Sequence, residues 1–152
     1  MSETLQTFLA SATRKAAANV LTAIGNLPVD KRNWQPAAGA RSAMDQLAEC
    51  ALNNGYVADL VETRRWAAPE RSVYDQLKQD LVASGLEAVK ELLDKNTERL
   101  VGVILGLPDD QLPVEVGMPW GSGTLDGVIA YPYWNMGYHE GQINYIGSIL
   151  GL

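Results

Sequence analysis

Apolar residues recur every three or four positions through two stretches in the first half of the chain, which is the period of an amphipathic α-helix. The first stretch covers residues 2–24 and stops at Gly25 and Pro28. The second begins at Ser42, a residue type that caps helix N-termini, and continues to Arg65. Its apolar residues fall on two sides, so we expect neighbours to cover this helix from two directions. The predicted core face of the first helix consists of Leu5, Phe8, Leu9, Ala12, Ala16, Val20 and Ile24.

The same period returns in two stretches of the second half. A third helix is predicted to begin between residues 72 and 80 and to end near Gly106. A fourth is predicted to run from Thr124, which can cap it, to Leu150. Pro132 lies inside this last helix and removes a backbone donor, so we expect a kink or a break there. The third helix has a predicted core face of Leu77, Leu81, Ala88, Val89, Leu92, Leu93, Leu100, Val103 and Ile104, and a predicted solvated face of Lys78, Lys90, Asp94, Lys95 and Glu98.

Two long connections join these helices. One follows the first helix and contains Trp34, which we expect to anchor it to the core. The other precedes the last helix and is rich in proline and glycine, with residues 118–121 as a structured loop. Sustained strand-like alternation is absent from the sequence. The pattern predicts an all-α fold, a four-helix bundle, and 152 residues suit one domain spanning 1–152.

Composition and charge exclude several classes of function. The net charge is −6, and Lys and Arg residues form only isolated pairs, so we expect no nucleic-acid partner. No apolar run approaches the length of a membrane span, and the N-terminus lacks the features of a signal peptide. A single cysteine, Cys50, excludes a disulfide bond within the chain. These features predict a soluble, cytoplasmic protein with no membrane partner.

His139 is the only histidine in the chain, and it lies on the last predicted helix. Three- and four-residue steps place it on the same face as Asn135, Ile143 and Ile146, so its imidazole is predicted to point into the protein. Two interpretations stay open. An inward histidine is more often a hydrogen-bonded part of the core. Histidine is also the commonest metal ligand and suits proton transfer near neutral pH.

The second helix carries two further candidates, Glu49 and Cys50. Glutamate is usually a surface acid, but Leu52 and Tyr56 are angular neighbours of Glu49 and favour an inward carboxylate. Cys50 is interpreted first as a small buried residue, with a nucleophilic thiol as the less favoured alternative.

Four stretches, taken in order, resemble the DinB/YfiT-like superfamily of four-helix bundles. The resemblance covers essentially the whole chain and rests on the order and spacing of these stretches. They are Trp34-x-Pro36 before Ser42, the helix of residues 42–54, Pro119-Trp120 before Thr124, and His139-Glu140-Gly141-Gln142 followed by residues 143–151.

The resemblance implies a divalent-metal site. Members of that superfamily typically use three histidines, one on the second helix and two, four residues apart, on the last. In this sequence those positions hold Glu49, Asn135 and His139. Glu49 can ligate zinc, nickel, iron or manganese. Asn135 offers only a neutral oxygen, so we expect weaker binding than by three imidazoles and a preference for harder ions.

The resemblance also implies a function and a partner. If the protein is an enzyme, it implies a metal-dependent hydrolase or a thiol-dependent transferase acting on an unknown small molecule. Tyr138 and Gln142 would then support the ligands. A homodimer is expected as well. The alternative is a metal-free bundle in which Glu49 and His139 hydrogen-bond directly, and which acts as a binding or dimerisation module.

Overall fold

Five α-helices and one short hairpin make up the computed structural model, which describes residues 3–152. The helices are α1 (Leu5–Gly25), α2 (Ala43–Thr63), α3 (Arg71–Ala83), α4 (Leu86–Leu105) and α5 (Leu125–Ile149). The antiparallel strands β1 (Glu115–Met118) and β2 (Gly121–Thr124) lie directly before α5. The predicted all-α class is confirmed. None of the helices in the described part of the chain is long and apolar enough to cross a membrane.

Helices α1, α2, α4 and α5 form a four-helix bundle. Helix α2 packs against both α4 and α5, and α1 packs against the same two helices from the opposite side. Two apolar clusters fill the space between them. A buried polar contact, in which the Asn54 amide donates to the Thr97 hydroxyl at 2.9 Å, links α2 to α4. The prediction that α2 is covered from two directions therefore holds.

The start of the chain differs in detail from the prediction. The predicted helix start at Ser2 lies outside the described residues, and α1 begins at Leu5 with Thr4 as its cap. Leu5 and Phe8 are exposed, although the periodicity placed them in the core. Phe8 instead lies edge-on to Tyr133, with 6.4 Å between the ring centroids.

The predicted third helix is wrong in one respect, because two helices replace it. The break falls at Ser84 and Gly85, where Gly85 adopts a φ of 92° that favours glycine. Helix α3 therefore does not continue the core face of α4. As a result, Leu77 is exposed, and Lys78, assigned to the solvated face, is buried.

The segment before α5 forms a hairpin that the sequence did not predict, because each strand has only four residues and three of the eight are glycine. Met118 pairs with Gly121, which leaves Pro119 and Trp120 as a two-residue loop. Thr124 occupies the N-cap position of α5, but its hydroxyl contacts Asp126 instead of the helix backbone. Helix α5 then continues through Pro132 without a break.

Candidate functional site

An elongated cavity of about 950 Å³ lies between α2, α3, the hairpin and the start of α5. It follows one face of α2 from Asp45 to Leu60, a span of about 22 Å at the helical rise. Charged residues line the end near the start of α2. Aromatic residues line the other end, where Trp66 and Trp120 meet edge to face with 4.8 Å between their centroids. The cavity thus combines a charged end with a largely apolar body.

Four-residue spacing on α2 builds the charged end. Asp45 and Glu49 are four residues apart, so their side chains share one face of the helix, and Arg41 lies two residues before the helix begins. The Arg41 guanidinium contacts both carboxylates, with 2.7 Å between its Nη1 and Glu49 Oε2. From α3, Lys78 Nζ reaches Asp45 Oδ1 at 3.0 Å. Positive and negative groups therefore alternate along this end of the cavity.

His139 lies on α5 and contacts Glu49, the last of these charged residues. Its side chain is only 2% exposed, which confirms the inward orientation predicted from the sequence. Its Nδ1 lies 2.9 Å from Gln46 Oε1, and its Nε2 lies 3.0 Å from Glu49 Oε1. The structure therefore brings two of the three predicted site residues into direct contact.

Gln46 is the hydrogen-bond partner of the second ring nitrogen of His139. The Gln46 amide nitrogen points to the Arg41 carbonyl at 3.5 Å, so its oxygen faces the imidazole and accepts from Nδ1–H. In the neutral imidazole, Nε2 would then carry no proton, and its lone pair would face the Glu49 carboxylate oxygen. With this tautomer, either a proton on Nε2 or a metal ion bound to both groups would relieve the contact between the lone pair and the carboxylate.

The Glu49 carboxylate is ionised in this setting. Its burial favours the neutral acid, but the hydrogen bond with His139 and the charge of Arg41 outweigh burial and lower the pKa of Glu49 to about 2. Both carboxylate oxygens have partners, since His139 and Arg41 each contact one of them. Glu49 is thus a charged acceptor at neutral pH.

Asn135, the third predicted site residue, lies one turn before His139 and is buried. Its Oδ1 accepts a long hydrogen bond of 3.4 Å from the Tyr131 hydroxyl, and its Nδ2 has no partner within the described residues. A buried amide with an unpaired atom usually costs stability or serves a site.

The donor chemistry fits a divalent ion that accepts oxygen ligands. Ligands bound at 2.0–2.2 Å to one ion are about 3–3.5 Å apart, which matches the spacing of His139 Nε2 and Glu49 Oε1. Asn135 would add a neutral donor. Across residues 3–152, no group of three or more His, Cys, Asp or Glu side chains could hold a metal, so such a site would depend on the amide.

Cys50 does not have the environment of a reactive thiol. It is fully buried, and burial together with the nearby charge of Glu49 strongly raises the pKa of its thiol. The thiolate needed for nucleophilic attack is therefore disfavoured, and the interpretation of Cys50 as a small core residue accounts for it.

The residues around His139 differ from those expected. Gln142 makes no hydrogen bond to the imidazole in the described structure, and Gln46 takes the supporting role from α2. The Tyr138 ring is edge-on to the imidazole, with 5.3 Å between centroids. Sequence reasoning also missed Arg41 and Lys78. Arg41 lies two residues before α2, so helical spacing did not mark it, and Lys78 required knowledge of where α3 lies.

Comparison with known proteins identifies the fold. No protein-family model matches the chain, and no curated protein matches it. A conserved protein from Enterococcus faecalis superposes with a TM-score of 0.74 at 11% identity, covering 95% of this chain and 96% of that one. A protein from Streptococcus pneumoniae gives a TM-score of 0.74 at 15% identity, covering 98% and 93%. A DinB-like protein from Bacillus subtilis gives a TM-score of 0.68 at 13% identity, covering 95% and 92%.

The chain has a DinB-like fold. The resemblance found in the sequence is thereby confirmed at the level of the fold. In this DinB-like bundle the cavity opens beside α2, and the predicted positions Glu49 and His139 meet at its charged end.

Proposed function

We propose that this DinB-like protein binds a divalent metal ion between Glu49 and His139, and a small organic molecule in the adjoining cavity. The observation that carries the proposal is the approach of His139 Nε2 to Glu49 Oε1 at 3.0 Å while Gln46 holds the other ring nitrogen. A hydrogen-bonded Nδ1–H is the usual way in which a protein orients a histidine ligand.

The surrounding residues have distinct parts in this proposal. Glu49 and His139 would hold the ion, and Asn135 would contribute an amide oxygen after rotation of its side-chain amide. Gln46 orients the imidazole, and Arg41 keeps the carboxylate ionised. Zinc, nickel, iron and manganese are the candidate ions.

The chemistry supplied by such an ion when bound is Lewis-acid activation of a water molecule or of a substrate oxygen. Metal-dependent hydrolysis and thiol-dependent transfer on a small molecule are the two reaction classes covered by the proposal. Cys50 takes no part in either, because its thiol is buried and its pKa is raised.

Metal analysis of protein purified without a histidine tag tests the proposal, followed by calorimetric titration with zinc, nickel and manganese. We expect one ion per chain, bound at least about tenfold more weakly after His139→Ala or Glu49→Gln. Glu91→Gln, an exposed acid on α4, is the matched control and should bind as the wild type does. If His139→Ala leaves the affinity for the metal ion unchanged, the proposal is wrong.

A metal-free bundle is the second candidate, and the position of Arg41 favours it. Its guanidinium lies 2.7 Å from Glu49 Oε2, so the carboxylate already has a positive partner, and a cation repels an incoming ion. A proton on His139 Nε2 would then complete the contact with Glu49. Under this alternative, chelator treatment leaves thermal stability unchanged and zinc does not raise it.

A homodimer forms part of the proposal as well. Trp134, Tyr138 and Tyr145 follow each other on α5 at helical spacing and are 59%, 51% and 69% exposed. Trp134 and Tyr138 stack with 5.5 Å between their centroids. Exposed aromatic residues concentrated on one face are typical of protein interfaces, and we assign this face to a second copy of the chain.

A further inference from the structure

The charged end of the cavity has more hydrogen-bond donors than acceptors. Each of the four carboxylate oxygens of Asp45 and Glu49 already contacts Lys78, Arg41 or His139. The donors are only partly used. A lysine ammonium has three N–H groups, and Lys78 directs one of them to Asp45.

Arg41 shows the same excess of donors. A guanidinium has five N–H groups. Three of them face Asp45 Oδ2, the Asp45 carbonyl and Glu49 Oε2 in the described structure. Two N–H groups of Arg41 and two of Lys78 therefore remain for a ligand, and the Lys78 side chain is only 11% exposed. An acceptor placed here would form charge-assisted hydrogen bonds with both side chains.

Aromatic rings extend from this point along the cavity. The Tyr74 ring lies 5.8 Å from the Lys78 ammonium and 6.1 Å from the Tyr56 ring. Tyr56, which supports these rings without lining the cavity, lies 6.1 Å from Trp66. Trp66 lines the cavity and meets Trp120 at the far end. The body of a ligand whose head lies at Lys78 would thus meet apolar faces over most of its length.

We propose that the cavity binds an elongated organic acid, with its carboxylate on Lys78 and Arg41 and its apolar body along Tyr74 and Trp66. The proposal rests on the cavity's being a ligand site and is independent of the metal ion. An amine would place its charge beside those of Lys78 and Arg41 and would find no carboxylate oxygen without a partner.

Three probes of matched length test the head group: octanoate, octanamide and octylamine. Binding is measured in the presence of a chelator from the indole ¹H–¹⁵N signals, with those of Trp66 and Trp120 assigned by Trp→Phe variants. We expect octanoate to bind about tenfold more tightly than octanamide, because charge-assisted hydrogen bonds exceed neutral ones. Octylamine should bind most weakly, and all three should shift the Trp66 signal.

The variant Lys78→Met keeps the apolar stem and removes the charge. It should lower the preference for octanoate over octanamide to about twofold or less while octanamide still binds, which also shows that the cavity is intact. Lys90→Met, an exposed lysine on α4, should retain the full preference.

The possible failures are distinguishable. Equal affinity for the three probes, or a preference for octylamine, would overturn the organic-acid proposal and leave the cavity as a ligand site. A preference for octanoate that survives Lys78→Met but requires added zinc would also overturn it, since the carboxylate would then bind the metal. Absence of binding by every probe would count against both this proposal and the small-molecule part of the proposed function.

Discussion

Gln46 is the residue that most limits what His139 can do. By accepting a hydrogen bond from Nδ1–H, it leaves only Nε2 to interact with Glu49. Without this amide, the imidazole could place its single proton on either nitrogen, and the contact with Glu49 would need no additional cation. The case for a proton or a metal ion at Nε2 therefore depends on the orientation of the Gln46 side chain on α2.

The ionisation of Glu49 makes a prediction about pH. The folded-state pKa of about 2 is below the usual 4.5, so the contribution of Glu49 to stability is fully present above pH 4.5 and is lost as pH falls toward 2. In the presence of a chelator, Glu49→Gln should lower the free energy of unfolding by about 1–3 kcal/mol at pH 6. Urea titrations from pH 6 to pH 3 measure the difference between variant and wild type.

That difference should shrink as the pH falls below 4.5, because the wild type then loses what the variant already lacks. A constant difference across the range would mean that the Glu49 carboxylate is not held ionised by His139 and Arg41. Glu91→Gln, on the exposed face of α4, should show little difference at any pH.

The sequence allowed part of this site to be predicted. The inward position of His139 followed from helical periodicity, and its pairing with Glu49 followed from the resemblance to DinB-like proteins. Gln46 lies three residues before Glu49 on α2, so its spacing was informative, whereas Arg41 lies just before the helix begins. Lys78 was not predictable, because its burial depends on how α3 lies against α2.

At the scale of elements, α3 is the part of the fold that departs most from expectation. The apolar period continues on both sides of Gly85, so no change of pattern marks the break between α3 and α4. Lys78 is the only buried residue of α3, and it is held by Asp45 of α2. Helix α3 is therefore attached to the bundle at the charged end of the cavity and, through the partly buried Leu81 and Val82, at the core.

The break at Gly85 can be tested by substitution. Its φ of 92° strains any residue with a Cβ, so Gly85→Ala should lower the free energy of unfolding by about 1–3 kcal/mol. Gly102 is the matched control, because it lies exposed inside α4 with nothing within 4 Å of an added Cβ. Gly102→Ala should stabilise the protein by about 0.5–1 kcal/mol.

Urea unfolding of both variants gives the measurement. If Gly85→Ala were as stable as the wild type, the positive φ of Gly85 would not be required at the break between α3 and α4.

At the scale of the whole molecule, the DinB-like bundle presents two surfaces that its own core does not use: the cavity beside α2 and the aromatic face of α5. The bundle was predictable because four long amphipathic stretches leave few other ways to bury their apolar faces. The hairpin was not, because eight residues with three glycines carry no periodic signal. Its Trp120 nevertheless closes one end of the cavity against Trp66.

The aromatic face of α5 predicts the oligomeric state. We expect a dimer in solution, and Trp134→Glu should convert it to a monomer, because a charge in the centre of a buried apolar face is costly. Val73→Glu is the control, since Val73 is 50% exposed and lies on α3. Sedimentation equilibrium measures the mass, and unchanged circular dichroism shows that both variants fold.

If the wild-type protein is monomeric at high concentration, the aromatic face of α5 is not a dimer interface. A Trp134→Glu variant that stays dimeric would assign the interface to another surface.

The central claim is that His139 Nε2 and Glu49 share a metal ion, and the single histidine of the chain allows a direct measurement. In protein labelled with ¹⁵N-histidine, both ring nitrogens of His139 can be observed in the presence of a chelator and after addition of one equivalent of zinc. We predict that Nδ1 keeps its proton on Gln46 while Nε2 moves to the shift of a metal-bound nitrogen. Ring-nitrogen signals that zinc leaves unchanged at pH 7 would contradict the claim and favour the metal-free contact between His139 and Glu49.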